Sequence, residues 1–471
     1  MHRQPLKTLL LKSRAVSAAA GLLLSLAPAT MAHDALPPTA RHELDAIVAG
    51  KVPGSPQISG LQMVVIKDGK ATFEYAAGIA RVDGEKSIPL NLDHKVRIAS
   101  ISKLVATIGL MRLVEAGKVN LDTDVSDYLG FKLRNPNFPN DQITLREILS
   151  HSSSIRDGDY YWLKGGEEFE EFFKPYGKHY DGGAHFAHGG NKGPGEYFTY
   201  SNLNFGIMAG VIEKVTGQRF DRYMRESVLE PLGLSASYNV CDVSANEPET
   251  MASLFRKRDE DGNWRPEGDW VPQLDDKRFS CYYGMEPVAR GEAPGAILED
   301  YTPGQNPTLF SPQGGLRASA RDLAKVAQLL LAGGETTDGK RLLDPQTVGE
   351  MAQPIWVYDA RAENGNTTGE DLDPNGPSKR LMNAYGLSTH VVDLRDWGVS
   401  DDSHVLVGHL GDAYGLMGQF WIDFENNAAL IALITGTADD PAAGTGITPM
   451  YRAEDEVLRW WWRWFGNKAD D

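Results

Sequence analysis

Hydrophobic alternation of period two is confined to the two ends of this chain, and much of the stretch between them reads as helix. Near the start, Leu61 to Ile66 and Thr72 to Ile79 alternate on either side of Asp68-Gly69, a dipeptide suited to a two-residue hairpin turn. Near the end, alternating runs return at Tyr385 to Val392, Val405 to Leu410, Leu416 to Ile422 and Ala428 to Thr435, with Glu425-Asn426-Asn427 as a turn between the last two. Between these groups, Leu145 to Leu149 and Phe205 to Val215 follow the helical period, and Arg321 to Leu331 is amphipathic and closed by Gly333-Gly334. Short terminal helices are predicted over Ala40 to Ala49 and Ala453 to Phe465, whereas Ser235 to about Phe310 reads as loop. Half-polar strands from both ends, joined by hairpins, predict an α/β (α+β) fold: an antiparallel sheet flanked by helices, with an inserted all-α lobe. The expected division is an α/β lobe from about 33–99 plus 310–466 and a helical lobe from about 100–309.

The chain has 471 residues, 41 % of them hydrophobic and 24 % charged, enough for two core-bearing lobes. Residues 1–32 read as a signal peptide. Arg3, Lys7, Lys12 and Arg14 form its basic start, Ala15 to Leu26 is apolar but too short to span a bilayer, and cleavage is expected after Ala32 rather than after Ala29. That segment has no cysteine to carry a lipid, and no later run is apolar enough to cross a membrane, so a periplasmic or secreted protein without a stable membrane anchor is expected. Removing the segment leaves 43 cations against 64 acids, a charge of −21 that repels nucleic acid and anionic membrane faces. In an exported protein the two cysteines, Cys241 and Cys281, are expected to pair across a charge-rich loop, the alternative being two separate thiols; neither has metal-ligand spacing. Trp460, Trp461, Trp462 and Trp464 could form a carbohydrate or membrane platform, but packing of the last helix on the sheet is the expected role.

The chemistry enters at Arg97-Ile98-Ala99-Ser100-Ile101-Ser102-Lys103, which runs into the apolar stretch Leu104 to Met111. A serine hydroxyl is a poor nucleophile until a base takes its proton. Residues three apart share a helical face, so Ser100 and Lys103 can meet there, and desolvation among apolar neighbours suits a lysine to accept a proton near neutral pH. The plain alternative is a serine N-cap followed by a solvated lysine. Two further stretches accompany this one. Pro194 to Asn202 ends in Tyr200-Ser201-Asn202 ahead of a helix, and a tyrosine near an ammonium can relay a proton; otherwise it is a capping loop. Gly408-His409-Leu410-Gly411 closes an apolar strand, where glycine lets a substrate lie against the strand edge; otherwise it is an ordinary strand end.

In this order the three stretches resemble the serine β-lactamase and penicillin-binding-protein superfamily, which includes DD-peptidases, β-lactamases and carboxylesterases. Gly117 to Asp122, Ile143 to Ser154, Pro231 to Leu234 and Gly314 to Leu323 extend the likeness along nearly the whole mature chain. The resemblance implies a β-lactamase/transpeptidase-like fold with its site in a cleft between lobes. It also implies that Ser100 attacks a carbonyl and forms an acyl-enzyme, with Lys103 and Tyr200 acting as base and then acid. The backbone N–H groups of Ser100 and Asp412, the residue after Gly411, would stabilise the oxyanion. Asn202 would hold substrate or the lysine, and His409 and Gly411 would stand on the substrate side. No residue matches the extra glutamate base of one β-lactamase subgroup. Two departures matter. Leu410 cannot donate a hydrogen bond where the related motif has a hydroxyl that holds a substrate carboxylate. Ser154 stands where the family's His-Thr-Ser-Gly stretch carries glycine, so that turn is expected to differ slightly.

The expected function is therefore an exported serine hydrolase acting on a small-molecule ester, amide or peptide, with carboxylesterase-like activity ahead of D-amino-acid peptidase, DD-carboxypeptidase or β-lactamase. A catalytically silent binding module is the remaining alternative. No cofactor and no metal is expected. The Gly- and aromatic-rich segment from Trp162 to Glu196 is expected to overhang the cleft, and its His179, Asp181, His185 and His188 read as a polar loop with solvated histidines rather than a metal site. The chain lacks the G-x-S-x-G elbow of α/β-hydrolases, the second histidine of H-E-x-x-H after His42-Glu43, and a P-loop.

Overall fold

Asp68 and Gly69 both adopt left-handed backbone, at φ 52° and 72°, the geometry that a tight hairpin needs. They join strand β1 (Gly60–Lys67) to β2 (Lys70–Asp83) in a computed structural model that describes residues 36–244, 248–275, 298, 301–367, 381–441 and 446–466. The predicted signal peptide and Cys281 lie outside the described residues, as does the Cys241 side chain, and with them the predicted disulfide. Seven more strands complete the main sheet: β3 (Lys86–Pro89), β4 (Trp356–Val357), β5 (Ala384–Tyr385), β6 (His390–Asp393), β7 (Val405–Ala413), β8 (Leu416–Asp423) and β9 (Ala428–Ile434). Their order is β3-β2-β1-β9-β8-β7-β6-β5-β4, antiparallel throughout, so the first hairpin pairs directly with the last strand.

Helices α1 (Pro38–Val48), α2 (Ile101–Glu115), α4 (Ala320–Leu331) and α5 (Arg452–Phe465) pack on this sheet, and α3 (Leu203–Thr216) packs on α2. Helix α4 packs on β1 and β9, α2 on β7 and β8, and α5 on β8 and β9 with α1 beside it. Every residue of β8 and β9 is buried, which corrects the expectation of half-polar strands. Helix α2 carries apolar residues around its whole circumference, as a helix enclosed by protein must. The tryptophans of α5 do pack inward. Trp460 donates to the carbonyl of Ala40 at 2.9 Å and lies 5.2 Å from the Phe73 ring, while Trp464 donates to Glu43.

Two local readings are corrected. The run predicted from Tyr385 to Val392 is two strands, because Gly386 donates to Thr389 across a tight turn in which Ser388 has φ 60°. Within the predicted loop, Leu254–Arg256 and Val271–Leu274 pair with each other, and Gly436–Thr437 adds in parallel. Such short strands are defined by a distant partner, and no local periodicity announces them. Among the described residues no helix is long and apolar enough to cross a membrane.

Candidate active site

Strand pairing fixes the approach to Ser100. Val96–Arg97 pairs antiparallel with Arg317–Ala318, and the Ile98 amide continues the ladder to the Leu316 carbonyl at 3.0 Å. The Arg317 guanidinium, fully buried, is clamped by both carboxylate oxygens of Asp275 at 3.0 Å. Ala99 then takes φ 46°, a left-handed conformation that costs a non-glycine residue roughly 1 kcal/mol, and Ser100 enters the first turn of α2. Its side chain makes no capping hydrogen bond, and Lys103 is wholly buried, so the capping alternative does not describe this helix start.

Lys103 Nζ lies 2.9 Å from Ser100 Oγ, 2.8 Å from Asn202 Oδ1 and 3.0 Å from the Gln313 carbonyl oxygen. Below it are the rings of Tyr200 and Phe205, with centroids at 4.7 and 5.3 Å. A neutral amine has two N–H groups and one lone pair. As an ammonium, Lys103 can donate to all three; once it has lost a proton, Oδ1 and the carbonyl can keep its two N–H groups and its lone pair can turn to the serine hydroxyl. The arrangement can therefore take up the hydroxyl proton.

Asn202 is oriented by Asp157, which no sequence pattern singled out. Asp157 Oδ2 accepts from Asn202 Nδ2 at 2.9 Å, and Oδ1 accepts from Ser201 Oγ at 2.9 Å and from the Leu203 amide at 2.8 Å. With its amide nitrogen tied to this carboxylate, Asn202 must turn its oxygen toward Lys103. Asn202 thus holds the lysine.

Behind Tyr200 the protein buries three imidazoles. His151 stacks on Tyr200 at 4.3 Å, accepts from the Ser201 amide at Nδ1, and has a buried Nε2 without a hydrogen-bond partner among the described residues. His409 is 1 % exposed: Nδ1 donates to the Leu410 carbonyl and Nε2 accepts from the Tyr385 hydroxyl at 2.8 Å. His390 lies 4.5 Å from the His409 ring, with neither nitrogen hydrogen-bonded among the described residues. Burial pushes all three below the usual histidine range, His390 to about 3, and the Lys103 charge adds to each shift. His409, expected on the substrate side, is instead enclosed by protein. His390 and Tyr385 gave no sequence signal beyond their place in an apolar run.

Gly411 sits on β7 where that strand meets the chain leading to Ser100. A Cβ there would lie 2.5 Å from the Ile98 carbonyl oxygen, so only glycine permits the approach. This contact sets the Asp412 backbone beside the start of α2, while the Asp412 carboxylate accepts from the Tyr451 hydroxyl at 3.1 Å. The turn after His151 keeps left-handed backbone at Ser154, φ 64°, so serine occupies a conformation that favours glycine.

A cavity of about 580 Å³ opens beside Tyr200 and Asn202, walled by Arg156, Tyr161, Phe186 and Lys192 among others. The segment from Trp162 to Glu196 supplies one wall, as expected. His188 is exposed, as expected, but two other histidines of the segment are not. His185 and His179 are 1 % and 8 % exposed, packed with Phe172 and Tyr160, because the aromatic residues of the segment build a small core of their own.

A family profile described as Beta-lactamase matches residues 43–448. Protein flp of Staphylococcus aureus (strain N315) is 27 % identical over 193 residues, covering 38 % of this chain and 34 % of that one, so the chain spans about a third of the length of these curated relatives. The solved structure of EstCE1, a hydrolase with promiscuous acyltransferase activity, superposes with TM-score 0.58 at 19 % identity, covering 89 % of this chain and 98 % of that one. D-amino acid amidase from Ochrobactrum anthropi SV3 superposes with TM-score 0.55 at 19 % identity, covering 90 % and 98 %. At these identities the two structures share the fold.

Proposed function

Because the chain belongs to the beta-lactamase family of serine hydrolases, we propose that it hydrolyses a small ester or amide through an acyl-enzyme on Ser100, with carboxylesterase-like activity. The observation that carries this reading is the position of Lys103 Nζ, 2.9 Å from the serine oxygen and held by two fixed acceptors. In this mechanism Ser100 Oγ attacks the carbonyl carbon while its proton passes to Lys103. The backbone N–H groups of Ser100 and Asp412 receive the oxyanion. Tyr200 delivers a proton to the leaving group as its bond to the acyl carbon breaks. A water molecule then attacks the acyl-enzyme, gives its proton back through the same pair, and frees Ser100. Leu410 supplies no hydroxyl for a carboxylate beside the scissile bond, which favours neutral groups there over a free D-alanine terminus.

The reading includes export after removal of residues 1–32 and a two-lobed organisation with the cleft between the lobes. A fluorophosphonate probe tests the core of it. The expected result is a single adduct whose mass maps to Ser100, with hydrolysis of a short-chain nitrophenyl ester faster than that of a cephalosporin or a D-Ala-D-Ala peptide. Folded protein that neither labels nor hydrolyses would make it a binding module. Fast cephalosporin turnover without ester cleavage would make it a β-lactamase. N-terminal sequencing of protein recovered from its producing cells checks the cleavage.

A further inference from the structure

Asp157 has neighbours on both sides that are fixed by a single residue, His185. The Arg156 amide donates to the His185 carbonyl at 2.9 Å, beside an antiparallel bridge between Ile155 and Phe186. Gly158, at φ 61°, lies against the imidazole: a Cβ there would stand 2.7 Å from Cε1 and 2.9 Å from Nδ1 of His185. The ring is buried and held in turn. Its Nε2 donates to the His179 carbonyl at 3.1 Å, and it meets the Phe172 ring edge-on at 4.7 Å. Its Nδ1 is buried without a hydrogen-bond partner among the described residues, so the ring is placed by packing and by one donated bond. Ala184 and Phe186, on either side of His185, wall the cavity.

We propose that His185 is a positioning residue for the lysine base. It fixes the backbone before and after Asp157, whose carboxylate turns Asn202, whose amide oxygen faces Lys103. The proposal rests on the hydrolase reading above and deepens it: the wall of the cavity and the base share one support. Asp157 meets its three donors at 2.8 to 2.9 Å, and a small shift of its backbone breaks that fit. A displacement of about 1 Å away from the reacting atoms is enough to slow chemistry by about a hundredfold.

The Leu203 amide donates to Asp157 Oδ1, so its hydrogen exchange, followed by NMR, reports the hold on that carboxylate whether or not the protein turns over substrate. In His185→Ala, exchange at Leu203 is expected to quicken about tenfold beyond any change at Val64 in β1, which reports global opening. Ester hydrolysis should lose about tenfold in kcat with KM changed by less than about twofold. His185→Gln, which can still donate to the His179 carbonyl, should recover most of that rate. Added to Asp157→Asn, His185→Ala should cost at most about twofold more, since both changes act through one carboxylate. Gly158→Ala pushes on the same ring from the other side, and should repeat both effects if His185→Ala does not fold. Unchanged exchange at Leu203 in a folded variant overturns the proposal. So does a rate loss that is as large with Asp157 already replaced, or one confined to KM. Fluorophosphonate labelling of the parent reports separately on the hydrolase reading, which can fail while the exchange result still decides the role of His185.

Discussion

Asn202 stands between two charged groups, its Oδ1 2.8 Å from Lys103 Nζ and its Nδ2 2.9 Å from Asp157 Oδ2, so the carboxylate sets the direction of the amide that sets the lysine. Asp157→Asn replaces one of the charged acceptors by a donor and loosens that chain. A loss in kcat/KM of about tenfold to a hundredfold is expected, mostly in kcat, with fluorophosphonate labelling slowed alike. A change confined to KM would show that Asp157 only shapes the pocket.

Lys103→Met keeps the volume and removes the amine. A fall in kcat/KM of about a thousandfold or more is expected, since the hydroxyl loses its base. The melting temperature should fall by several degrees, because the substitution leaves two buried acceptors, Asn202 Oδ1 and the Gln313 carbonyl oxygen, without the lysine donor. Parent-level activity in this variant would refute the mechanism.

Gly411→Ala sets a methyl 2.5 Å from the Ile98 carbonyl oxygen and forces β7 away from the start of α2. In the proposed mechanism the neighbouring Asp412 amide receives the oxyanion, so kcat should drop by about a hundredfold, the scale of one lost oxyanion donor. Thermal unfolding should show a loss of about 2 kcal/mol from the displaced strand.

Stability against acid follows from the buried imidazoles. His390 has its pKa lowered from 6.5 to about 3 by burial and by Lys103. A base with a depressed folded pKa binds more protons when unfolded. Its contribution is therefore present above about pH 6.5 and is lost as pH falls toward 3. At pH 5 the loss amounts to about 2 kcal/mol. His390→Leu, which breaks no hydrogen bond among the described residues, should flatten this acid limb in melting curves taken from pH 8 to pH 4.

Glu213 acts with the opposite sign. Burial raises its carboxyl from 4.5 to about 7 despite hydrogen bonds from Tyr301, Gly304 and Phe220. An acid with a raised folded pKa stabilises fully below about pH 4.5 and loses that stabilisation as pH rises through 7. The stability of the parent relative to Glu213→Gln should thus fall by about 2–3 kcal/mol between pH 4.5 and pH 7.5. A flat difference would mean that the three donors hold the carboxylate ionised.

Local chemistry made much of this legible in advance. The Asp68-Gly69 hairpin, the strands around Glu425 to Asn427 and the Ser100–Lys103 pair each depend on residues within one turn of one another. Asp157 carries no sequence signal, because its partners lie at 201–203 and a lone carboxylate before a glycine makes no pattern. The Gln313 acceptor is a backbone carbonyl, which no residue type can advertise. The enclosure of His409 is hidden for a related reason: a strand end shows which residues alternate, but its neighbours Tyr385 and His390 arrive from two other strands, β5 and β6. The short strands at 254–256 and 271–274 follow the same rule.

Ser59 and Thr435 share a hydrogen bond across 376 positions, where the first hairpin meets β9 inside the sheet. A ribosome therefore delivers the nucleophile early and the strand that completes its surroundings late. Until the last strands emerge, Ser100 has neither Gly411 beside it nor the platform under α2. Deleting β9 would accordingly split the sheet between β1 and β8 and should abolish folding rather than trim the molecule.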